Sequence, residues 1–144
     1  MPLKYAYHPG NVAHSSATEV AETMETVAQS LSIELVPLRG ATSCGAGIIR
    51  QASRRLQLTL NARTFAMAEE LGLDIITPCA ATAGNLHEDL TVLKQDPNLL
   101  GEVNEVLERT CGRSFSGGTD VHHLLHVIVD EIGIEKLEAV VRNP

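Results

Sequence analysis

Residues 3–37 read LKYAYHPGNVAHSSATEVAETMETVAQSLSIELVP, and this stretch decides the fold class. It opens with a short extended run, LKYAY, which is followed by the turn signal HPGN. Apolar residues then recur at spacings of three and four from Ala17 to Leu31, as they do on one face of a helix. A second extended run, Ile33–Val36, stops at Pro37. A strand, a helix and a second strand predict a parallel βαβ unit, because parallel strands need a crossover connection.

The rest of the chain continues the alternation of strands and helices. Ser15 and Ser16 are predicted to cap the first helix. A helical pattern with a less clean apolar stripe runs from Ile48 to about Leu71, and Asp74–Thr77 is predicted to be a third strand. Further helices are predicted at four places: about 80–95, about 98–109, Val121–Ile132 and a last one that ends at about Val141. The sequence therefore predicts an α/β fold with a small, mostly parallel sheet flanked by helices.

Composition limits the function classes. A chain of 144 residues suits one compact domain. Its 18 Asp and Glu residues outnumber 11 Lys and Arg residues, for a net charge of −7, whereas a nucleic-acid partner requires a basic face. No apolar run approaches the roughly 20 residues that span a bilayer, and the N-terminus lacks a signal peptide. We therefore expect a cytoplasmic protein without a membrane span, and a single domain over residues 1–144 that ends at Arg142-Asn143-Pro144.

The loops that follow the predicted strands carry the candidate chemistry, because sites in open α/β sheets gather beyond the carboxyl ends of strands. These loops are His8–Ser15, Arg39–Gly45 and Pro78–Leu86. Two of them contain a cysteine, Cys44 and Cys79. Spacing alone allows two interpretations: buried, inert thiols, since free cysteine is often buried, or a redox pair, which requires Cα atoms within about 7 Å. Cys111 continues the buried stripe of a helix and is predicted to be structural.

The histidines also have alternative interpretations. His122 and His126 are four residues apart on a predicted helix, a spacing that allows two imidazoles to share a metal ion. Because the Glu of a His-Glu-x-x-His motif is missing, a half-exposed helix face is the preferred interpretation. His8 and His14 border the first loop, where a neutral imidazole is able to bind a metal.

Four stretches of the chain resemble a known family: YHPGN, SCGAG, TPCAAT and residues 121–144. They are similar to the cysteine-rich CCG domain of the heterodisulfide reductase B subunit, which has relatives in some succinate dehydrogenases and in glycolate, lactate and glycerol-phosphate oxidising complexes. The family pattern is one Cys, then Cys-Cys-Gly, then Cys-x-x-Cys. With Asn11 in the first position, residues 12–42 separate it from Ser43-Cys44-Gly45, and residues 45–78 lead to Cys79 and Thr82. The resemblance implies a CCG-type fold over the whole chain, equivalent to the first domain of a tandem pair. His123 stands where the family often has a histidine before two leucines, so the resemblance also implies that it packs or caps near the site.

The resemblance also implies a cluster site that has lost most of its ligands. In the family, five thiolates gather around an iron–sulfur cluster, which is of a non-cubane type in heterodisulfide reductase itself. Here Asn11, Ser43 and Thr82 occupy three of the five positions. Amide and alcohol oxygens are hard, poorly ionised donors that do not replace soft thiolates. We therefore expect no cluster on this chain alone, with Cys44 and Cys79 as the residues that are left for a metal.

These features predict a part of an oxidoreductase complex that is not catalytic alone. The expected role is a scaffold or subunit-interaction module, with flavin or iron–sulfur subunits as partners. One alternative is an active redox domain in which Cys44 and Cys79 hold an iron–sulfur cluster, bind zinc with help from histidine or form a reversible disulfide. A further alternative is an enzyme that binds a small anion in the emptied pocket.

Overall fold

The computed structural model describes residues 2–141, apart from the side chain of His14. The sheet has the strand order β2-β1-β3-β4, and each neighbouring pair is parallel. The strands are β1 (Leu3–Tyr7), β2 (Ile33–Pro37), β3 (Ile75–Thr77) and β4 (Val121–His123). The helices are α1 (Asn11–Ser15), α2 (Thr18–Ser30), α3 (Ile48–Ala52), α4 (Arg54–Glu70), α5 (Ala80–Gln95), α6 (Pro97–Cys111), α7 (Leu124–His126), a π-helix (Val127–Ile132) and α8 (Ile134–Val140). The prediction of an α/β fold with a parallel sheet flanked by helices is confirmed. The predicted domain end at Arg142-Asn143-Pro144 lies outside the described residues.

Side chains that alternate along the central strands divide the core into two layers. Tyr5 and Tyr7 pack with Ile76 against α2 and the π-helix. Ala6 and Ile75 point to the other face, where they pack against α4, α5 and α6. Successive residues of a strand point to opposite faces of the sheet. The sheet is therefore covered on both sides, and its carboxyl edge is left as the place where loops meet.

The fourth strand is a correction to the sequence prediction, which begins a helix at Val121. In the structure, residues 121–123 pair with β3, with Val121 opposite Ile75. The helix begins only at Leu124, where the Nδ1 of His123 accepts a hydrogen bond from the backbone N–H of Leu125. Three residues are too few to show strand periodicity, so the helical spacing of the residues that follow extended the predicted helix too far.

The predicted N-cap of the first helix was wrong, although the helix itself is confirmed as α2. Helix α1 begins at Asn11, and Ser15 lies inside it, where its hydroxyl donates to the carbonyl of Asn11 at 3.0 Å. Helix α2 has Ala17 at its N-cap, and that residue makes no side-chain capping bond. A serine at this place therefore satisfies a carbonyl within the preceding helical turn, and it does not start a new helix.

The predicted helix from Ile48 to about Leu71 is two helices. Ser53 separates them because its backbone is extended, with φ −159° and ψ 106°. Its hydroxyl accepts a hydrogen bond from the N–H of Leu56, which makes it the N-cap of α4. The predicted helices on either side of Asp96 are confirmed, and the carboxylate of Asp96 caps α6.

The segment that leads into β4 is held by Glu69 on α4. The Glu69 carboxylate accepts hydrogen bonds from the N–H of Ser116 at 2.8 Å, from the hydroxyl of Ser116 at 2.7 Å and from the N–H of Gly118. Burial alone would raise the pKa of Glu69, but these hydrogen bonds outweigh it, so the pKa is lowered. A Cβ at Gly118 would lie 2.6 Å from Oε1 of Glu69. Helix α4 thereby helps to place the edge strand.

Candidate functional site

The candidate site lies at the carboxyl edge of the parallel sheet, where the segments after β1, β2 and β3 meet. The first segment runs from His8 into α1, the second runs from Leu38 to α3, and the third leads from Pro78 into α5. Parallel strands send their carboxyl ends to one edge, which is where open α/β sheets carry their sites. Residues that are far apart in the sequence are therefore brought together here.

The first and second segments are joined by a side-chain hydrogen bond. Nδ2 of Asn11 donates to Oγ of Ser43 at 2.8 Å. The same hydroxyl oxygen accepts the backbone N–H of Gly45 at 3.1 Å. The Ser43 oxygen therefore both closes its own turn and receives the amide of the neighbouring loop.

The second and third segments meet through Cys44 and Thr82. The Cys44 side chain is buried, with 4% of its surface exposed, and Oγ1 of Thr82 lies 3.6 Å from its Sγ. Thr82 is itself buried in the first turn of α5. The hydroxyl donates towards the sulfur, which is a weak acceptor. This contact places a polar partner beside the one buried cysteine of the site.

Gly10 brings the first segment against the third. Its φ of +83° is a conformation that L side chains rarely adopt. A Cβ at this position would lie 2.9 Å from Cβ of Cys79, 3.3 Å from Oγ1 of Thr82 and 3.4 Å from Sγ of Cys79. The backbone beside Asn11 therefore packs directly on Cys79 and Thr82. Contacts thus connect the five predicted site residues, which are Asn11, Ser43, Cys44, Cys79 and Thr82.

The donor atoms in this cluster do not match a cluster held by thiolates. Cys44 and Cys79 supply sulfur, whereas Asn11, Ser43 and Thr82 supply an amide and two hydroxyl groups. Iron–sulfur clusters in proteins are held by thiolates, with His as a minority ligand. Over residues 2–141, no group of three or more His, Cys, Asp or Glu side chains is placed to hold a metal ion. The side chains of this site therefore do not fit the ligand set that the resemblance implies.

A buried polar network beneath Cys44 was not predicted from the sequence. The backbone carbonyl of Cys44 accepts hydrogen bonds from Nδ2 of Asn61 at 2.9 Å and from Nδ2 of Asn85. Nε2 of Gln57 donates to Oδ1 of Asn85 at 3.1 Å. Helices α4 and α5 thus both hold the backbone of the cysteine loop.

The network is anchored on Asp89, a fully buried carboxylate of α5. Asp89 accepts hydrogen bonds from Gln57 at 2.8 Å and from Asn61 at 2.6 Å, and it forms an ion pair with Arg54. Buried charges are tolerated only when they are paired and hydrogen-bonded. The sequence carried a signal for this network: polar residues four apart interrupt the apolar stripe on both helices, at 57 and 61 and at 85 and 89.

The structure rearranges the predicted histidine pair. His122 lies in β4, with Nε2 3.6 Å from Oδ2 of Asp74 and its ring 5.6 Å from that of Tyr5. His126 is in α7, with its ring 6.0 Å from that of His123. Both interpretations of His122 and His126 assumed one helix, and that assumption was wrong because residues 121–123 form a strand.

The remaining histidines and the third cysteine have separate positions. His8 is buried after β1, and its Nε2 lies 3.0 Å from the carbonyl oxygen of Thr42. The expected cap role of His123 is confirmed, and the side chain of His14 lies outside the described residues. Cys111 packs against the core from α6 and donates to the carbonyl of Leu107 at 3.2 Å.

Comparison with known proteins gives this geometry a family. The model of the cysteine-rich domain family CCG matches residues 5–86, a range that contains all five site residues. The chain belongs to the CCG cysteine-rich domain family. The match covers more than half of the chain and includes β2, β3 and the last three residues of β1.

Curated relatives of this CCG domain are named as subunits of reductases. It is 31% identical over 117 residues to the B subunit of the Ferredoxin/F(420)H(2)-dependent CoB-CoM heterodisulfide reductase of Methanosarcina acetivorans, which covers 81% of this chain and 39% of the relative. It is 28% identical over 137 residues to a protein of Archaeoglobus profundus that is named as similar to the heterodisulfide reductase B subunit, which covers 94% and 46%. It is 28% identical over 144 residues to the 8-methylmenaquinol:fumarate reductase membrane anchor subunit of Wolinella succinogenes, which covers 100% and 49%. The chain spans about half or less of the length of these relatives.

A solved structure supports the fold of this CCG domain. A hypothetical protein from Helicobacter pylori superposes with a TM-score of 0.78 at 17% identity, covering 90% of this chain and 26% of that chain. At this identity, the likeness concerns the fold alone. Within residues 2–141, none of the helices combines the length and the apolar character needed to cross a bilayer.

Proposed function

We propose that this CCG domain is part of an oxidoreductase complex of the heterodisulfide reductase type, in which it lacks its own iron–sulfur cluster and serves as a scaffold or subunit-interaction module. The observation that carries the proposal is the state of the five site residues. Three of them have side chains that do not ligate iron as thiolates do, and two of these three, Asn11 and Ser43, hydrogen-bond to each other. A loop cluster held in this way needs no metal to join its segments.

Exposed apolar side chains near the same edge support an interaction role. Ile48, at the start of α3, is 84% exposed, and Leu125, after β4, is 60% exposed. Leu125 and the exposed Val129 line a groove of about 710 Å³ between α5 and the segment after β4. Exposed apolar side chains around a groove are typical of surfaces that a partner covers. In our proposal, flavin or iron–sulfur subunits in the cytoplasm are the partners, and the domain's net charge of −7 helps to select among them.

We further propose that the chain is a single CCG-type domain, equivalent to the first of a tandem pair. The lengths of three relatives support one domain of such a pair, because the aligned part of each is about half of it or less. The activity of a whole reductase would then require the other domain and the other subunits, and this domain would not be catalytic alone.

Iron analysis tests the loss of the cluster. The protein is purified under strictly anaerobic conditions, and its iron, acid-labile sulfide and visible absorption are measured. We expect iron and sulfide far below one atom per chain and no charge-transfer bands. Stoichiometric iron and sulfide with a brown colour would overturn the proposal. A tandem or intact-cluster homologue, purified in the same way, is the positive control for cluster survival.

Assembly of the native complex tests the scaffold role. Replacement of Ile48 or Leu125 by Glu is expected to release the domain from its complex, as measured by native mass spectrometry after affinity purification. Replacement of Leu71 by Glu is the matched control, because Leu71 is also an exposed apolar residue but follows α4 and precedes β3 at the other edge. Retention of the Ile48 and Leu125 variants in the complex would refute the use of this surface.

The placement of the two cysteines favours one second candidate, a thiol-redox domain. Cys79 and Thr82 both pack against Gly10, and Thr82 contacts the sulfur of Cys44, so the two thiols belong to one group of contacts. Thiol titration before and after reduction distinguishes the candidates. A gain of two thiols on reduction, lost when Cys44 or Cys79 is replaced by Ser, favours the redox role. An unchanged count favours the scaffold.

A further inference from the structure

Two histidines at the site make the same local hydrogen bond in two different loops. His8 follows β1 directly, and its Nδ1 accepts the backbone N–H of Gly10 at 3.2 Å. His123 is the last residue of β4, and its Nδ1 accepts the backbone N–H of Leu125 at 3.2 Å. Each ring thus receives the N–H two residues further along, as the side chain of Asn or Asp does in an Asx turn. In both loops an imidazole closes the first turn after a strand.

The second nitrogen of each ring reaches the neighbouring loop that carries a cysteine. Because Nδ1 accepts a hydrogen bond, the neutral ring carries its proton on Nε2. Nε2 of His8 therefore donates to the carbonyl of Thr42 at 3.0 Å, and Nε2 of His123 donates to the carbonyl of Pro78 at 3.2 Å. Thr42 stands two residues before Cys44, and Pro78 immediately precedes Cys79. The two contacts therefore fix the backbone at the entrance to each cysteine.

We propose that His8 and His123 are a matched pair of positioning residues, His8 for the loop of Cys44 and His123 for the loop of Cys79. His8 joins the end of β1 to the loop after β2, and His123 joins the end of β4 to the segment after β3. His8 is only 3% exposed, so water does not compete for its ring. The proposal rests on the proposed function and deepens it, because it names two further contacts that hold the cysteine loops when no cluster joins them.

A change to asparagine separates the local bond from the bond between loops. Asn is able to accept the N–H two residues along, as in an Asx turn, but its side chain is too short to reach the neighbouring loop. His8→Asn and His123→Asn therefore keep the local hydrogen bond and remove the hydrogen bond to the neighbouring loop, whereas His8→Ala and His123→Ala remove both of these hydrogen bonds. His87→Asn is the control, because His87 is an exposed histidine of α5 that lies outside both loops.

The measurement is the alkylation rate of each cysteine by iodoacetamide in the full chain, resolved by peptide mass spectrometry. We expect His8→Asn to raise the alkylation rate of Cys44 about fivefold and to change that of Cys79 by less than about twofold. The Cys44 loop would open more often, because its closed state has lost one hydrogen bond. His123→Asn is expected to do the reverse. Cys111 on α6 is the internal reference, since a general loss of stability would accelerate all three cysteines together.

Two results would overturn the proposal. One is that the Asn variants are alkylated at the wild-type rate and only the Ala variants are alkylated faster. The histidines would then only close their local turns. The other is equal acceleration of Cys44, Cys79 and Cys111. Native-state hydrogen exchange on the wild-type protein needs no variant: the N–H groups of Gly10 and Leu125 are expected to be protected, and rapid exchange at either contradicts the geometry.

The proposed function and the positioning role fail in different ways. Iron and sulfide are assayed in the same wild-type samples that are alkylated. Stoichiometric iron with selective effects of the Asn variants would overturn the cluster-free function and leave the positioning role intact. Iron-free protein without selectivity would overturn the positioning role alone.

Discussion

Asn11 and Ser43, which are 32 residues apart in the sequence, are joined by a hydrogen bond of 2.8 Å between Nδ2 and Oγ. The resemblance to the CCG family places both residues where that family has cysteine. In this structure the two loops contact each other directly through these side chains. The two positions at which the family has cluster-binding cysteines therefore form a hydrogen bond with each other here, with Asn11 as the donor and Ser43 as the acceptor.

Restoration of sulfur at the three positions is the sharpest test of their equivalence to cluster ligands. The variant Asn11→Cys/Ser43→Cys/Thr82→Cys would have five thiols in the cluster of contacts at the carboxyl edge. After anaerobic incubation with ferrous iron and sulfide, we expect this variant to bind both and to gain visible absorption, because Cys thiolates are the ligands of such clusters. The wild-type protein is expected to remain colourless.

The control for this variant moves each thiol by one residue, as Val12→Cys/Thr42→Cys/Ala83→Cys. It has the same number of cysteines, but each new side chain starts from a neighbouring residue and not from the predicted ligand position. Equal iron in both variants would mean that thiol number matters and position does not. A colourless, folded Asn11→Cys/Ser43→Cys/Thr82→Cys protein would contradict the assignment of these residues to ligand positions.

Gly10 is expected to be essential for the packing of the site. Gly10→Ala would place a Cβ 2.9 Å from Cβ of Cys79 at a φ of +83°. We expect the free energy of unfolding to fall by about 2–4 kcal/mol in urea titrations, from steric overlap and left-handed backbone strain. Gly101→Ala is the opposite control: Gly101 is exposed within α6 with open space around its Cβ position, and the change should stabilise by about 0.5–1 kcal/mol. A Gly10→Ala protein as stable as wild type would disprove the close approach.

Adjacent arginines on α4 are expected to differ sharply in their contribution to stability. Arg54 pairs with the fully buried Asp89, whereas Arg55 pairs with Glu102 on the surface. Arg54→Met would leave a buried carboxylate without its cation and should lower the free energy of unfolding by about 2–4 kcal/mol. Arg55→Met removes an exposed pair and should change it by less than about 0.5 kcal/mol. Similar effects of the two changes in urea unfolding would show that Asp89 is not held as described.

Glu69 is expected to make the stability of the domain depend on acidity. Its folded pKa lies below the ordinary value of 4.5, because hydrogen bonds from Ser116 and Gly118 outweigh burial. A carboxyl group whose pKa is lowered by folding stabilises the folded state at pH values above its ordinary pKa. That stability is lost as the pH falls through the folded pKa. Glu69→Gln should therefore lower the free energy of unfolding by about 1–2 kcal/mol at pH 7. The difference in free energy of unfolding between the variant and the wild type should become smaller below pH 4.5.

The control for Glu69 is its neighbour Glu70, which forms an exposed pair with Arg113. Glu70→Gln should change the free energy of unfolding by less than about 0.5 kcal/mol at pH 7. The measurement is urea unfolding of the three proteins between pH 7 and pH 3. A difference between wild type and Glu69→Gln that stays constant over this range would rule out the carboxylate as its source.

Local sequence patterns were enough to predict the α/β architecture but not the edge strand of its sheet. The extended run at residues 3–7 and the apolar spacing of α2 gave a parallel βαβ unit, because a crossover helix imposes that arrangement. Strand β4 and the break at Ser53 were missed. A three-residue strand has no periodicity of its own, and it is a strand because β3 offers hydrogen-bond partners that lie 46 residues away, with Ile75 opposite Val121.

The positions of the site residues in the sequence were enough to nominate them, since the gaps between Asn11, Cys44 and Cys79 match a family pattern. The network of Gln57, Asn61 and Asp89 was not nominated. Polar residues on a helix usually indicate a solvent-exposed face. The packing of α4 on α5 shows instead that these three side chains are buried and joined by hydrogen bonds.

The sequence by itself determined the fold class, the family and the chemical identity of the atoms at the site, because these depend on local periodicity, spacing and residue type. Tertiary structure alone decided which atoms meet. The hydrogen bond of Asn11 to Ser43, the approach of Gly10 to Cys79 and the reach of each histidine across to a neighbouring loop arise from the parallel sheet, which brings the ends of distant strands to one edge.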